Sequence, residues 1–141
     1  MKKHLLFLAA PLLISYYSHA QATNYKDYKV VFDMTSRDTV NQAALVRELN
    51  LIMDANPEAR LEVVLYGQGL DLVIKDRSGQ QPAIQKLIAD KRASFKACGA
   101  AMKRQHIEPG QLLSGVEMVP DGIYEIVSRQ REGWGYIKVA H

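Results

Sequence analysis

The sequence predicts an α/β domain built as three layers, α/β/α, around a mostly parallel five-stranded sheet. Three observations carry that reading. Short β-branched and aromatic runs alternate along the chain with segments whose apolar residues recur at helical spacing. Turn and capping residues separate the two kinds of segment. The 141 residues, 48% apolar and 23% charged, suit one globular domain and leave no room for two ordinary ones.

Lys29 to Met34 is the first strand. Asp38 or Thr39 caps a helix in which Leu45, Leu49, Ile52 and Met53 form the apolar stripe, widened by Val46. Asn41, Gln42, Arg47 and Asn50 are expected on its wet side, and Asn56-Pro57 ends it. Leu61 to Tyr66 is the second strand, broken by Gly67-Gln68-Gly69. Leu70 to Ile74 is apolar but short, compatible with a helical turn. Gln80 or Gln81 opens a second helix through Pro82, with Ile84, Leu87 and Ile88 on one face.

Ala93 to Cys98 is the third strand and Gly99 to Gln105 the helix after it. Pro109-Gly110 turns the chain, with one helical turn at Gln111 to Leu113. Val116 to Val119 is the fourth strand. Asp121 caps a helix from Gly122 to Arg131 with Ile123, Ile126 and Val127 on one face, and Gly133 ends it. Trp134 to Ala140 is the fifth strand. Strands alternating with helices make a mostly parallel sheet covered on both faces, with right-handed crossovers, in a small flavodoxin-like domain.

Residues 1–20 read as a secretory signal. Lys2 and Lys3 precede the apolar run Leu5 to Ile14, and Ser18-His19-Ala20 supplies the small residues of a cleavage site. Cleavage after Ala20 is the first choice and after Ala22 the second. The run is too short for a spanning helix and holds Pro11, so no membrane anchor is expected after cleavage. The expected location is periplasmic or secreted, with residues 21–27 a polar spacer and 28–141 the domain. Losing Lys2 and Lys3 takes the 18 basic residues to 16 against 15 acidic, a mature net charge of +1 in place of +3. That balance gives no case for nucleic-acid binding.

A single cysteine excludes an internal disulfide framework and a cysteine-based zinc site. The mature chain keeps only His106 and His141, too few for a metal site, and no cofactor is expected. Ligands of such sheets bind at the carboxyl ends of the strands. That edge collects Asp33 to Arg37, Tyr66 to Gly69, Cys98-Gly99 and Pro120 to Gly122. Cys98 stands at a strand end before a helix, where backbone N–H groups favour a thiolate, and Gly99 leaves room beside it. The alternative for Cys98 is a small buried hydrophobe. Gly67-Gln68-Gly69 lacks the third glycine of a dinucleotide fingerprint and reads as a plain loop or a wall of the Cys98 cleft. Lys91, Arg92, Lys96, Lys103 and Arg104 are a solvated face or, less simply, an attractor of a small sulfur anion.

At these residues the chain resembles the DsrE/DsrF-like sulfur-relay family, which includes TusD-type proteins. The marks are Lys29-Val30-Val31-Phe32, Leu65-Tyr66-Gly67-Gln68-Gly69-Leu70, Phe95-Lys96-Ala97-Cys98-Gly99, Gly110-Gln111-Leu112-Leu113-Ser114-Gly115-Val116 and Gly133-Trp134-Gly135-Tyr136-Ile137-Lys138. The resemblance implies a three-layer α/β fold, trimers or hexamers, and a catalytic Cys98 that carries persulfide sulfur between a donor and an acceptor protein. Gly67, Gln68, Gly69 and Gly99 are the expected substrate-binding residues. An exported member departs from the cytoplasmic relay proteins. The competing function is a non-enzymatic oligomeric binding or assembly module of the same fold. A hydrolase or metal enzyme ranks last, because its triad or ligands are absent.

Overall fold

The computed structural model describes residues 27–139. The expected signal at 1–20, all but the last residue of the 21–27 spacer, Ala140 and His141 lie outside the described residues. Five strands form one sheet: β1 (Lys29–Met34), β2 (Arg60–Leu65), β3 (Ser94–Cys98), β4 (Glu117–Val119) and β5 (Gly135–Val139). The order is β4-β3-β2-β1-β5 and every pairing is parallel. Parallel strands need crossovers, and four α-helices supply them: α1 (Thr39–Ala55), α2 (Gln81–Ala89), α3 (Gly99–Arg104) and α4 (Gly122–Arg131). None of the described helices is long and apolar enough to cross a membrane. The strand order runs outward from β1 to β4, then returns to place β5 on the other side of β1.

The two faces of the sheet differ because side chains alternate along each strand. On one face, Phe32, Met34, Val63, Leu65, Phe95 and Ala97 are fully buried under α1, α2 and α3. The apolar run after the glycines joins this face. It is a 3₁₀ segment over Gly67–Val73, with Leu70, Leu72 and Val73 all at 0% exposure. A second 3₁₀ turn spans Pro109–Gln111 and so begins earlier than the expected Gln111 to Leu113. On the opposite face Val31, Val64 and Ile126 make a small cluster under α4, with Tyr66 and Trp134 beside it.

Local chemistry sets the helix starts. The Asp38 carboxylate accepts the N–H groups of Val40 and Asn41 at the head of α1, and the Asp121 carboxylate accepts that of Tyr124 at the head of α4. Pro82 sits in the first turn of α2, where its missing N–H costs nothing.

Two helix faces depart from their expected orientation. Asn41 and Gln42 are buried, not wet, and the Asn41 amide donates to Ser36 Oγ at 3.1 Å. In α4 Ile126 is buried, but Ile123 and Val127 are exposed. The helix instead turns Gly122 and Ile126 inward, together with the stem of Arg129, because Glu62 on β2 is buried beneath it. A charge in that position needs a partner more than two apolar side chains need cover.

Candidate functional site

The carboxyl ends of the strands meet where the sequence places them. Tyr66 N–H donates to the Met34 carbonyl at 3.3 Å, and Ala100 N–H to that of Pro120 at 3.1 Å. The loop after β2 crosses the end of β1 so closely that a β-carbon on Gly69 would stand 2.1 Å from the Met34 carbonyl oxygen. Only glycine fits there. Gly67 has φ +55°, the left-handed region that starts the 3₁₀ segment. Its carbonyl accepts the Gln105 side-chain amide at 2.7 Å, which ties this loop to the end of α3.

Cys98 caps α3. Its Sγ accepts the Ala101 N–H at 3.4 Å, and the residue is only 3% exposed. The cover is the first residue of α4. A β-carbon on Gly122 would lie 3.2 Å from Cys98 Cβ, 3.1 Å from Val64 Cγ1 and 3.4 Å from Tyr66 Cδ1. Cys98 therefore lies between the starts of two helices, its Sγ on its own α3 and its Cβ under the helix arriving from β4. Gly99 leaves close packing rather than open space, since a β-carbon there would be 3.2 Å from the Val119 carbonyl oxygen. A surface recess near 290 Å³ opens beside Gly99, between Met102, Lys103, Ile107 and Met118. Gln68 is exposed on the glycine loop.

The basic stretch does not converge on the sulfur. Lys91 and Arg92 lie before β3, at the opposite end of the strand from Cys98, and Arg92 pairs with Asp54. Lys96 is on β3 but is bound to Glu117 at 2.7 Å. Lys103 and Arg104 close α3, where cations suit the carbonyl end of a helix. His106 follows in the left-handed conformation, φ +55°, its N–H donating to the Lys103 carbonyl at 3.3 Å. Among the described residues no group of three histidine, cysteine or acidic side chains could hold a metal ion.

Sequence reasoning did not assemble the polar groups of the α4-side face. Glu62, 2% exposed, meets Arg129 in a two-pronged pair, with Nε to Oε1 at 2.9 Å and Nη2 to Oε2 at 3.0 Å. Burial pushes the Glu62 carboxyl above its usual range, while Arg129 pulls it back. The pair holds the guanidinium charge more firmly, and that guanidinium also stacks 5.1 Å from the Trp134 ring. At the β1–β5 join, Asp33 Oδ2 accepts from the Tyr136 hydroxyl at 2.7 Å and from Lys138 Nζ at 3.1 Å. Burial, and next the neighbouring Asp33 carboxylate, push the Tyr66 phenol up to about 12. The period-2 alternation of β1 and β5 was the available signal: it puts Asp33, Tyr136 and Lys138 on one face once the two strands are known to pair.

Comparison with known proteins places this geometry. The DsrE/DsrF-like family model matches residues 29–139. The chain belongs to that family. A solved protein of unknown function from Methanobacterium thermoautotrophicum is 31% identical, with a TM-score of 0.75 over 79% of this chain and 99% of the other. The ychN protein from E. coli shares the fold at 14% identity and a TM-score of 0.66, over 80% of this chain and 99% of that one. A conserved protein of unknown function from Bacteroides thetaiotaomicron is similar at 15% identity and a TM-score of 0.65, over 79% and 94%. No curated protein matches the sequence. The DsrE/DsrF-like fold is sulfur-relay-related, and within it the cysteine of this chain closes β3 and caps the helix after it.

Proposed function

We propose that this DsrE/DsrF-like protein is an exported sulfur carrier that works through Cys98. The observation that carries the reading is the cap: a cysteine at a parallel-strand end whose sulfur accepts the Ala101 N–H and whose Cβ lies under the start of α4. Backbone donors of this kind stabilise a sulfur anion, which is the reactive form. In the reaction, the Cys98 thiolate attacks the outer sulfur of a donor persulfide, R–S–SH. The donor S–S bond breaks as the Cys98 S–S bond forms. The leaving R–S⁻ takes up the proton that Cys98 lost, so the products are Cys98–S–SH and R–SH with no net oxidation. Of the expected substrate-binding residues, Gly69 and Gly99 set the close packing of the strand ends, Gly67 turns the loop and Gln68 is exposed on it. A second thiol protein receives the sulfur by the reverse exchange. The active form is a trimer or hexamer of this chain, in the periplasm or outside the cell. Intact-protein mass spectrometry after polysulfide treatment tests this: one added sulfur on the wild type and none on Cys98→Ser is the expected result. No adduct on the wild type, or an equal one on the variant, overturns it.

The 3% exposure of Cys98 favours a second reading, a non-enzymatic assembly module in which the thiol is packing. Thiol labelling of the native protein separates the two. A carrier labels in the folded state, and an inert module labels only on unfolding.

A further inference from the structure

The sheet has two edges, and they are not protected alike. β4 is three residues long, opens on Glu117, and is followed by Pro120, which has no N–H to offer. Short length, charge and proline are the usual guards of an edge. β5 lacks them. Gly135–Val139 is five residues without proline, and β1 is its one partner among the described strands. Its single charge, Lys138, is drawn back to Asp33, a carboxylate that is 3% exposed and whose Oδ1 has no hydrogen-bond partner among the described residues. The outer edge of β5 therefore offers unpaired backbone N–H and C=O groups at alternate residues.

The flank of this edge is uncovered as well. Alternation puts Gly135, Ile137 and Val139 on the α1 side of the sheet. A recess near 210 Å³ separates Ala44, Arg47 and Glu48 of α1 from Ile137 and Val139, and Ile137 is 41% exposed. Arg47 and Glu48 are exposed, opposite in sign, and without an ion-pair partner among the described residues.

We propose that β5 pairs with β5 of a second copy, antiparallel about a two-fold axis at Ile137, joining two five-stranded sheets into one. A two-fold axis through the sheet makes equal edges meet antiparallel. It sets Ile137 against Ile137, Gly135 against Val139 and Tyr136 against Lys138. The smallest residue thus meets a branched one, and a phenol ring meets an ammonium. Arg47 and Glu48 line the recess beside Ile137, so the same axis brings Arg47 of each copy towards the partner's Glu48. Unpaired charges of both signs, side by side, are what a self-complementary contact needs. The pairing goes beyond the chemistry of Cys98, but it rests on the self-association in that reading and selects between its two assemblies. A two-fold contact makes a hexamer of two trimers, and a bare trimer lacks it.

The test is the mass of the folded protein by size-exclusion chromatography with light scattering. Ile137→Lys puts two ammonium groups together on the axis, and the mass falls by half, from hexamer to trimer, with an unchanged circular dichroism spectrum. Arg47→Glu and Glu48→Arg each set like charges across the axis and raise the dissociation constant about tenfold. The two reversals combined restore it. A double variant no tighter than the singles overturns the pairing. A wild-type trimer, or a hexamer that Ile137→Lys leaves whole, also overturns it and leaves the self-association standing. A wild-type dimer that Ile137→Lys splits keeps the pairing and overturns the trimer and hexamer. A protein monomeric at every concentration overturns both and leaves the edge to an extended segment of a different protein. Sulfur loading of Cys98 is read separately by mass spectrometry, so the carrier chemistry stands or falls on its own.

Discussion

The two faces of the sheet are built by different rules. The face under α1, α2 and α3 is a continuous apolar core, from Phe32 through Leu65 to Phe95, closed by Leu70, Leu72 and Val73. The face under α4 holds one small apolar cluster of Val31, Val64 and Ile126, and around it Asp33, Glu62, Lys96, Glu117 and Lys138 in paired contacts. Burial of apolar area stabilises the first face without regard to direction. The second depends on specific donors meeting specific acceptors, which is also what a reactive sulfur needs. Cys98 stands at the rim, within the apolar cluster of the first face and under Gly122 from the second.

The largest effect is expected on the apolar face. Phe95→Ala deletes a fully buried ring and should cost about 3–5 kcal/mol in urea unfolding. A loss below about 1 kcal/mol would show that this core is not tightly packed. Gly69→Ala comes next, because the Met34 backbone cannot move aside, and should cost roughly 3 kcal/mol.

On the paired face the effects are smaller and depend on pH. Arg129→Met leaves Glu62 buried without its main partner and should cost roughly 2–3 kcal/mol at neutral pH. Burial already holds the Glu62 carboxyl above the ordinary 4.5, and without Arg129 burial and the neighbouring Glu125 push it further up, opposed only by Lys96 among the charges acting on it. A raised carboxyl pKa means the fold holds the proton, so stability is full below the ordinary value and falls as pH rises through the folded one. The deficit of Arg129→Met should therefore shrink when unfolding is repeated in acid. An equal deficit at both pH values would mean Glu62 is solvated.

Tyr66 and Tyr136 are each pushed up to about 12, the first mainly by burial and the second by its hydrogen bond to Asp33. Here too the fold holds the proton. Their contribution is intact below the ordinary 10.0 and is lost as pH rises towards 12. An ultraviolet titration should show these two phenols ionising late, and Tyr66→Phe should flatten the alkaline loss of stability. The smallest effect is on access. Gly122→Ala presses on Cys98, Val64 and Tyr66 by a few tenths of an ångström, so the head of α4 should lift and Cys98 should label faster, with little change in stability.

Most element boundaries were legible because local signals agreed: Asp38 and Asp121 as caps, Pro82 in a first turn, and glycines at the breaks. The convergence of Met34, Tyr66, Cys98 and Gly122 on one edge was legible too, since parallel strands end on the same side. What misled was helix-face counting. In α4 the spacing of Ile123, Ile126 and Val127 describes an apolar stripe, yet two of the three are exposed. No count made within one helix reports that a buried glutamate waits on a strand 67 residues away.

The sequence by itself determined the α/β class, the family and the position of one cysteine between a strand and a helix, because these follow from short-range periodicity and capping. Only the tertiary structure decided that α4 covers that cysteine, that Glu62 takes Arg129, and that Asp33 is left with one unmet oxygen beside Tyr66. Those facts depend on which strands lie side by side. The order β4-β3-β2-β1-β5 brings residues about a hundred positions apart, such as Asp33 and Tyr136, within a hydrogen bond.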